Sequence, residues 1–352
     1  MYNIVFRADG GSNVGMGHII RCLSLAEELR KAGQRVYFFS KKSEGIVRIK
    51  ECGFEVVSLL NKEDEHSEGF YYGDKTELES EKKEIIDHIR DKKINILIVD
   101  SYNVTNEYFS EIKEKVDKLV YIDDINAFDY NVDVLINYSI SAKEKDYKSS
   151  YKNRKLLLGP QYALIRKEFQ NFPSREIAEE VSEIMITSGS TDYFSTIQFI
   201  LEAVLKDDYL KSKKINVIIG KGFKNTESIA QIASNNPKVI LHQNISDLSQ
   251  IMLSSDIAIS AGGSTLYELC ACGTPALSYI IAENQTDSAQ TMSKKGYIEC
   301  LGWYNELSAD EIVKKLKYLS RNYEKRKELS AKMQKLVDGK GAERVAEKIL
   351  GS

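Results

Sequence analysis

Short apolar runs alternate with amphipathic stretches from the start of the chain. Residues 2–6 have an extended apolar pattern, and residues 19–30 place apolar side chains at helical spacing, so together they predict a strand followed by a helix. Continuous apolar runs such as residues 96–99 are typical of a parallel sheet covered by helices on both faces. Further strands are predicted at residues 35–40, 54–59, 94–100 and 119–123.

A second series of strands and helices begins after Pro160, the first of only four prolines. The pattern therefore predicts two α/β halves, residues 1–150 and 151–352, each a doubly wound parallel sheet. Because ligands bind at the carboxyl ends of the strands in such sheets, we expect the site in a cleft between the halves. The second series has predicted strands at residues 184–187, 215–219, 239–241, 257–260 and 276–279, and helices that begin near Phe194, Thr226, Leu248, Thr265 and Asp287.

Three polar segments interrupt this pattern. Residues 61–83 are strongly charged, which favours a solvated surface excursion. Residues 141–154 are rich in lysine and tyrosine without a clear period, and we expect the crossover between the halves there. After Leu307 the pattern is helical and rich in lysine and glutamate, and a final helix over residues 342–350 is expected to pack on the first domain.

Composition narrows the classes of function. The formal net charge of the 352 residues is -3, so the chain has no broad positive field and nucleic acid is not an expected partner. No apolar run reaches the roughly 20 residues that cross a bilayer, and the N-terminus lacks a signal-peptide core, so a cytoplasmic protein without a membrane segment is expected. The five cysteines fit reduced thiols, and the isolated pair Cys270 and Cys272 favours buried small side chains over zinc.

The first strand leads into a turn that is rich in glycine, and the first helix follows directly. Asp9 begins this turn, and Gly15 and Gly17 permit positive φ angles and a close approach of a ligand to the backbone. His18 stands where a dinucleotide-binding fingerprint would have its third glycine, so a nicotinamide cofactor is not expected. No other cofactor is predicted.

His18 is the main catalytic candidate. It lies at a predicted helix start, where the partial positive charge disfavours an additional proton, and a neutral imidazole there can act as a general base. A helix-capping or core histidine is the alternative that the residue taken alone favours. The remaining histidines, His66, His88 and His242, have charged or polar neighbours and are interpreted as surface residues.

The second half carries two comparable glycine turns. One contains Gly263, Ser264 and Thr265 before a predicted helix, and the other contains Gly189 and Ser190 after the first strand of this half. Backbone N–H groups at such turns suit a nucleotide diphosphate. Glu268 lies one turn into the helix, where its carboxylate could accept hydrogen bonds from ribose hydroxyls or simply favour the helix dipole.

No motif points to a metal or to another hydrolase class. Asp123 and Asp124 are adjacent carboxylates after a strand, but such a pair more often caps the backbone or binds a hydroxyl than holds a cation. The metalloprotease, α/β-hydrolase and P-loop motifs do not occur in the sequence. A metal site is therefore not predicted.

Several segments, taken in order, resemble the UDP-sugar hydrolases of pseudaminic acid biosynthesis, which are related in fold to the N-acetylglucosaminyl transferase of peptidoglycan synthesis. This resemblance covers about the first 300 residues. It implies a GT-B-type architecture of two Rossmann-like domains and hydrolysis of UDP-2,4-diacetamido-2,4,6-trideoxy-β-L-altropyranose to UDP and the free sugar. The segments are residues 7–18, 99–102, 122–124, 132–137, 159–166 and 283–285.

The resemblance also assigns roles to residues of this sequence. His18 falls on the family's catalytic histidine, which activates water for attack on the anomeric carbon with inversion. Tyr102 and Asn284 fall on positions used around the sugar and diphosphate, and Glu268 matches the ribose-binding carboxylate of the related transferases. Arg166 is expected to contact phosphate or to form an interdomain salt bridge.

Two other functions remain open at this point. A GT-B glycosyltransferase would pass a sugar from a UDP-amino sugar to a lipid or glycan. To bind a lipid acceptor it would need an exposed apolar and basic patch, which residues 40–50 do not clearly provide. A non-catalytic nucleotide-sugar-binding protein would keep the diphosphate turns but would not need a histidine in the first turn. His18 therefore favours hydrolysis.

Overall fold

The computed structural model describes residues 1–11, 14–59, 74–144, 147, 154–224, 226–243, 245 and 247–351. These residues form two compact units, residues 1–166 with 341–352 and residues 167–340. Each unit contains a parallel sheet, which confirms the predicted α/β class. Of the helices in the described ranges, none combines the length and the apolar composition that a bilayer crossing requires.

The first unit has a sheet of seven parallel strands in the order β3-β2-β1-β4-β5-β6-β7. Its strands are β1 (Asn3–Ala8), β2 (Arg35–Ser40), β3 (Glu55–Ser58), β4 (Ile96–Asp100), β5 (Lys118–Ile122), β6 (Val134–Asn137) and β7 (Lys155–Leu158). Its first four helices are α1 (Gly17–Lys31), α2 (Ser43–Glu51), α3 (Lys75–Lys92) and α4 (Asn106–Lys113). Strand order reverses between β1 and β4, which marks their carboxyl ends as the place where such sheets bind ligands.

The second unit has six parallel strands in the order β10-β9-β8-β11-β12-β13. They are β8 (Glu183–Thr187), β9 (Lys214–Ile219), β10 (Val239–Gln243), β11 (Ile257–Ala261), β12 (Ala276–Ile280) and β13 (Glu299–Trp303). The helices are α5 (Thr196–Leu205), α6 (Asp208–Lys211), α7 (Thr226–Ser234), α8 (Ser249–Ser254), α9 (Thr265–Cys272), α10 (Glu283–Lys294), α11 (Ala309–Arg321) and α12 (Tyr323–Leu336). Here the strand order reverses between β8 and β11.

Burial explains why these runs became strands. The central strands β4 and β11 are buried along their whole length, because helices cover both faces of each sheet. Val5, Leu97 and Leu135 belong to the core of the first unit, while Ile184 and Leu277 belong to the core of the second. The continuous apolar runs of the sequence therefore correspond to doubly covered parallel strands.

The chain continues in the first sheet beyond the predicted boundary at residue 150. Strand β7 pairs in parallel with β6, and the compact units divide after Arg166. The final helix α13 (Gly341–Leu350) packs against α1, as expected for a C-terminal helix that returns to the first domain. A Cβ on Gly341 would lie 2.2 Å from the carbonyl oxygen of Ala163, so glycine is required for this close packing.

The polar segment 61–83 differs from the prediction in its last part. Residues 60–73 lie outside the described residues, but Lys75 begins α3, which is capped by Asp74 in a reciprocal arrangement with Glu77. Glu81 and Lys82 are buried on this helix. The end of the segment is thus part of the packed structure and not a solvated excursion, because its charges are paired in the protein.

Candidate active site

The glycine turn between β1 and α1 brings His18 to the carboxyl end of the first sheet. Helix α1 begins at Gly17, and the turn closes through a backbone hydrogen bond from Gly15 to Gly11. Gly15 has a φ of +74°, a conformation that only glycine adopts without strain. A Cβ on Gly10 would lie 2.5 Å from the Ile19 side chain, so the turn packs tightly on the first turn of α1.

His18 forms a buried pair with Asp100, the last residue of β4. The Nδ1 atom of His18 lies 2.7 Å from Oδ1 of Asp100. Strands β1 and β4 are neighbours in the sheet, so the turn after one strand meets the end of the other. An ionised carboxylate accepts the Nδ1 proton, and this assigns the lone pair of the neutral ring to Nε2. A histidine held in this way can accept a proton from water.

Arg21 connects this pair to a second carboxylate. Its Nε and Nη2 atoms donate to the two oxygens of Asp100, both at 2.6 Å, and Nη1 donates to both oxygens of Asp124 at 2.9 Å. Tyr102 donates its hydroxyl to Oδ2 of Asp124 at 2.6 Å, and its ring packs edge-on against His18 with centroids 5.0 Å apart. The strand ends of β1, β4 and β5 thus share one hydrogen-bonded network.

The electrostatics of the network follow from burial and pairing. Burial alone would raise the pKa of Asp100, but Arg21 and then His18 outweigh it and hold the pKa far below the usual carboxylate value. For Asp124 the pKa is also lowered, because Arg21 outweighs burial. The pKa of the Tyr138 hydroxyl, which accepts from Arg21, is raised mainly by burial. Both carboxylates are therefore ionised at neutral pH.

Asp9, predicted to bind substrate, lies in a separate buried cluster of charges. It accepts from Nη2 of Arg7 at 2.7 Å and from the backbone N–H of Lys41 at 2.7 Å. Arg7 also donates to both oxygens of Glu81, which pairs in addition with the Lys41 ammonium. Burial would raise the pKa of Asp9, but Arg7 lowers it overall. In these contacts Asp9 joins the end of β1 to the end of β2.

In the second unit the predicted glycine turns lie beside each other. Gly189 follows β8 with a φ of +82°, and a Cβ there would lie 3.9 Å from Oγ1 of Thr265, at the start of α9. Gly222 donates to the carbonyl of Ser190 at 2.9 Å, so the turn after β9 supports the turn after β8. Strands β8 and β11 are neighbours, and their carboxyl ends carry these turns.

The remaining predicted residues surround these turns or lie apart from them. Gly263 is close to Gln285, whose Oε1 accepts from the backbone of Ile281. Ser264 precedes α9 and is exposed, while Glu268 is buried in the first turn of that helix. Asn284 is exposed near the start of α10, after β12. Arg166 is half-buried and is the last residue of the first unit's main segment.

The adjacent carboxylates Asp123 and Asp124 have different roles. Asp123 is fully buried and accepts from the backbone of Ile125 and Asn126 and from the hydroxyl of Tyr130. Asp124 accepts from Arg21 and Tyr102, as described above. Within the described ranges no group of three or more histidine, cysteine or acidic residues could hold a metal ion.

Sequence reasoning missed the two residues that hold His18. Asp100 lies in one of the segments that carry the resemblance, and Arg21 lies on the predicted first helix, but neither belongs to the glycine turn that marks His18. A signal was present, since a charged residue that ends a strand of continuous apolar residues must be paired. The spacing of His18 and Arg21, three residues apart on one helix, also places them on the same face.

Residues 183–348, which include most of the second unit and part of α13, match the family model described as "Glycosyltransferase family 28 C-terminal domain". Among solved structures, MurG of Acinetobacter baumannii superposes with a TM-score of 0.71 at 12% identity and covers 100% of both chains. At that identity the likeness concerns the fold. The fold is that of the GT-B glycosyltransferases, as the resemblance implied.

Three curated relatives match a larger part of the chain. Spore coat polysaccharide biosynthesis protein SpsG of Bacillus subtilis is 27% identical over 96% of this chain and 95% of its own length. UDP-2,4-diacetamido-2,4,6-trideoxy-beta-L-altropyranose hydrolase of Campylobacter jejuni is 26% identical over 84% of this chain and 97% of its own length. An uncharacterized protein of Methanocaldococcus jannaschii is 27% identical over 83% of this chain, which spans 58% of that protein. The resemblance to the altropyranose hydrolases is therefore confirmed as homology.

Proposed function

We propose that this protein hydrolyses a UDP-linked 2,4-diacetamido-2,4,6-trideoxy sugar to UDP and the free sugar, in pseudaminic acid biosynthesis. The observation that carries the proposal is the buried pair of His18 and Asp100 at the carboxyl ends of β1 and β4. The relative from Campylobacter jejuni bears the name of that hydrolase, which supports the choice of substrate.

In the proposed reaction His18 is the general base. Its Nε2 accepts a proton from water while the water oxygen forms a bond to the anomeric carbon. The bond from that carbon to the diphosphate oxygen breaks, its electron pair leaves with UDP, and attack from the opposite face inverts the configuration. Asp100 accepts the Nδ1 proton throughout, so it orients the ring and stabilises the imidazolium that forms. The proton then passes from His18 to solvent.

The second unit is proposed to bind the UDP group. The turns that contain Gly189 and Ser190 and Gly263 to Thr265 present backbone donors at neighbouring strand ends, where charge on a leaving diphosphate can be stabilised. Glu268 is proposed to accept hydrogen bonds from the ribose. Asn284 is proposed to contact the sugar or the diphosphate, and Arg166 is proposed to pair with phosphate.

The other predicted residues of the first unit are proposed to contact the sugar or to support the residues that do. Tyr102 is proposed to contact the sugar next to His18, against which its ring packs. Gly15 and Gly17 would allow the sugar to approach the backbone of the turn, since a Cβ at either position would meet no atom of the described residues within 4 Å, apart from its neighbours in the chain. Asp9 is proposed to act on the substrate only indirectly, because its carboxylate already binds Arg7 and Lys41.

The proposed reaction needs no metal ion. The carboxylate oxygens that a cation would use on Asp123 and Asp124 already accept hydrogen bonds from the backbone, Arg21 and tyrosine hydroxyls. Helix N-termini and backbone donors can stabilise a leaving diphosphate without a cation. The chemistry of the donor set therefore favours catalysis by the protein groups alone.

One specific observation favours a second candidate function. The family model that matches the second unit describes a glycosyltransferase, and a transferase of this fold would pass the sugar to an acceptor instead of water. In that case His18 would deprotonate the acceptor hydroxyl by the same chemistry. The two functions differ only in the nucleophile.

The test is incubation with a panel of UDP-diacetamido sugars, with UDP release and anomer configuration followed by NMR. We expect UDP release without any added acceptor, with an inverted sugar as the first product. UDP release that requires a lipid or glycan acceptor would establish the transferase. Binding of the UDP-sugars in calorimetry without turnover under either condition would leave a nucleotide-sugar-binding protein.

A further inference from the structure

The side chains around His18 carry a defined balance of charge. Asp100 and Asp124 contribute two negative charges and Arg21 contributes one positive charge, so the network is singly negative while the imidazole is neutral. The hydroxyls of Tyr102 and Tyr138 and the thiol of Cys22, which lies 3.4 Å from Asp100 Oδ2, contact these charged groups and are themselves neutral. When His18 accepts a proton, the network becomes neutral. Because these groups are buried, the interactions between their charges are stronger than they would be in water, where charges are screened more.

The guanidinium of Arg21 fixes the position of the carboxylate that holds His18. It donates to both oxygens of Asp100 in the fork geometry that arginine forms with carboxylates, and its side chain is 7% exposed. Its Nη2 lies 3.2 Å from Nδ1 of His18, so the positive charge is next to the ring as well as next to its partner. Through Nη1 the same group holds Asp124, the acceptor for Tyr102.

We propose that Arg21 is a positioning residue for His18: it holds Asp100 against the ring, offsets part of the negative charge of that carboxylate, and fixes Tyr102 beside the ring through Asp124. This inference rests on the proposed function for the catalytic role of His18, but its electrostatic part concerns the protein alone. It assigns opposite effects to the two outer members of the network. Arg21 disfavours the imidazolium, whereas Asp124 favours it.

The experiment is an NMR titration of the histidine rings in the full-length protein labelled with ¹⁵N-histidine. The chain has only four histidines, so the His18 signal is identified by its loss in His18→Asn. We expect Arg21→Gln to move the midpoint of the His18 titration upward, since a positive charge within hydrogen-bonding distance is removed. Asp124→Asn is expected to move it downward by a smaller amount.

Two further variants separate charge from geometry and guard against misfolding. Arg21→Lys keeps the charge but loses the fork, so the titration midpoint should stay close to that of the unaltered protein while kcat for UDP release falls about tenfold or more. Arg30→Gln is the matched control, because Arg30 lies on the same helix but is exposed and pairs with Glu27. Arg30→Gln should change neither the His18 titration midpoint nor kcat for UDP release. Circular dichroism reports whether each variant is folded.

The signs of the shifts decide the outcome. A merely structural role of Arg21 would leave the midpoint unchanged, and shifts of Arg21→Gln and Asp124→Asn in the same direction would overturn the proposal. If Arg21→Gln does not fold, Asp124→Asn and Arg21→Lys still decide the outcome. An upward shift of the His18 midpoint in Asp124→Asn would contradict the proposal. A large shift of that midpoint in Arg21→Lys, which keeps the positive charge, would also contradict it. The titration needs no turnover, so a protein without hydrolase activity would refute the proposed function and still test this inference. Where turnover is measured, the acid limb of kcat/KM should move in the same direction as the titration.

Discussion

The carboxyl ends of the strands carry different kinds of chemical group in the two sheets. At the ends of β1, β4 and β5 the candidate groups are charged side chains, joined from His18 through Asp100 and Arg21 to Asp124. At the ends of β8 and β11 they are glycines, hydroxyls and backbone groups, together with two carboxylates, Glu268 in the first turn of α9 and Asp192 in the turn after β8. The two sheets share their topology, with strand order reversing at the same point in each.

The difference fits the two tasks that we propose for the two units. Proton transfer needs a side chain whose protonation state is controlled, and control comes from neighbouring charges that are buried and paired. Diphosphate binding needs several donors that point at one place, and glycine turns at helix starts provide these from the backbone.

His18→Asn should reduce the rate of UDP release by about a thousandfold, since general-base catalysis contributes on the order of 10²–10⁴. UDP affinity in calorimetry should change little, because UDP binding is assigned to the second unit. Turnover retained in this variant would remove His18 from the proposed chemistry, and lost UDP binding would contradict the division between the units.

Glu268→Ala should weaken UDP binding about tenfold in calorimetry, on the scale of a hydrogen bond to a charged group. The matched control is Glu324→Ala, because Glu324 is also an acid in the first turn of a helix, α12. If both variants bind UDP as the unaltered protein does, Glu268 is only a favourable charge at a helix start.

Acid should loosen the first unit before the second. The pKa values of Asp9, Glu81, Asp100 and Asp124 are all lowered in the folded protein, so the unfolded chain binds more protons than the native one in acid. The stability that these groups contribute is fully present at neutral pH and is lost as the pH falls below about 4, the ordinary range of carboxylates. In the second unit, burial raises the pKa of Asp192, which has the opposite effect on stability, and the lowered pKa values of Asp207 and Glu328 come mainly from hydrogen bonds to lysines near the surface.

Hydrogen exchange read by mass spectrometry at pH 7 and pH 3 measures this difference. Peptides of β1, α1 and β4 should lose more protection on acidification than peptides of β8 and β11. Equal losses in the two units would show that the buried charges of the first unit are not the source of its acid sensitivity.

Removal of divalent cations should have the smallest effect. EDTA is expected to leave the rate of UDP release unchanged, since the oxygens of Asp123 and Asp124 already serve as hydrogen-bond acceptors. A strong loss of activity that magnesium restores would instead identify this pair as a cation site.

Much of the fold could be predicted from local pattern. The runs that became β1, β4, β8 and β11 are continuous and apolar, and such runs are specific to strands buried on both faces. Strands β6, β7 and β13 were not predicted, because β6 and β7 have only four residues each and β7 and β13 are not fully buried. The strand β7 also explains why the first unit extends beyond residue 150.

The candidate site could be predicted only in part. His18 and the glycines around it stand together in the chain, so local sequence identified them. Asp100 and Glu81 are 82 and 74 residues from their partners His18 and Arg7, and no periodicity reports a contact over that distance. Asp9, chosen because it follows the first strand, binds Arg7 and Lys41.

The alternation of strands and helices, the two parallel sheets and the turn that carries His18 follow from local sequence, since these depend on hydrophobic period and on glycine at fixed positions. Which charges meet depends on the folded chain. It placed β4 beside β1 and thereby Asp100 beside His18, and it turned Arg21 from an ordinary helical arginine into the link between two carboxylates. The physical reason is that strand order, and not position along the chain, sets which strand ends are neighbours.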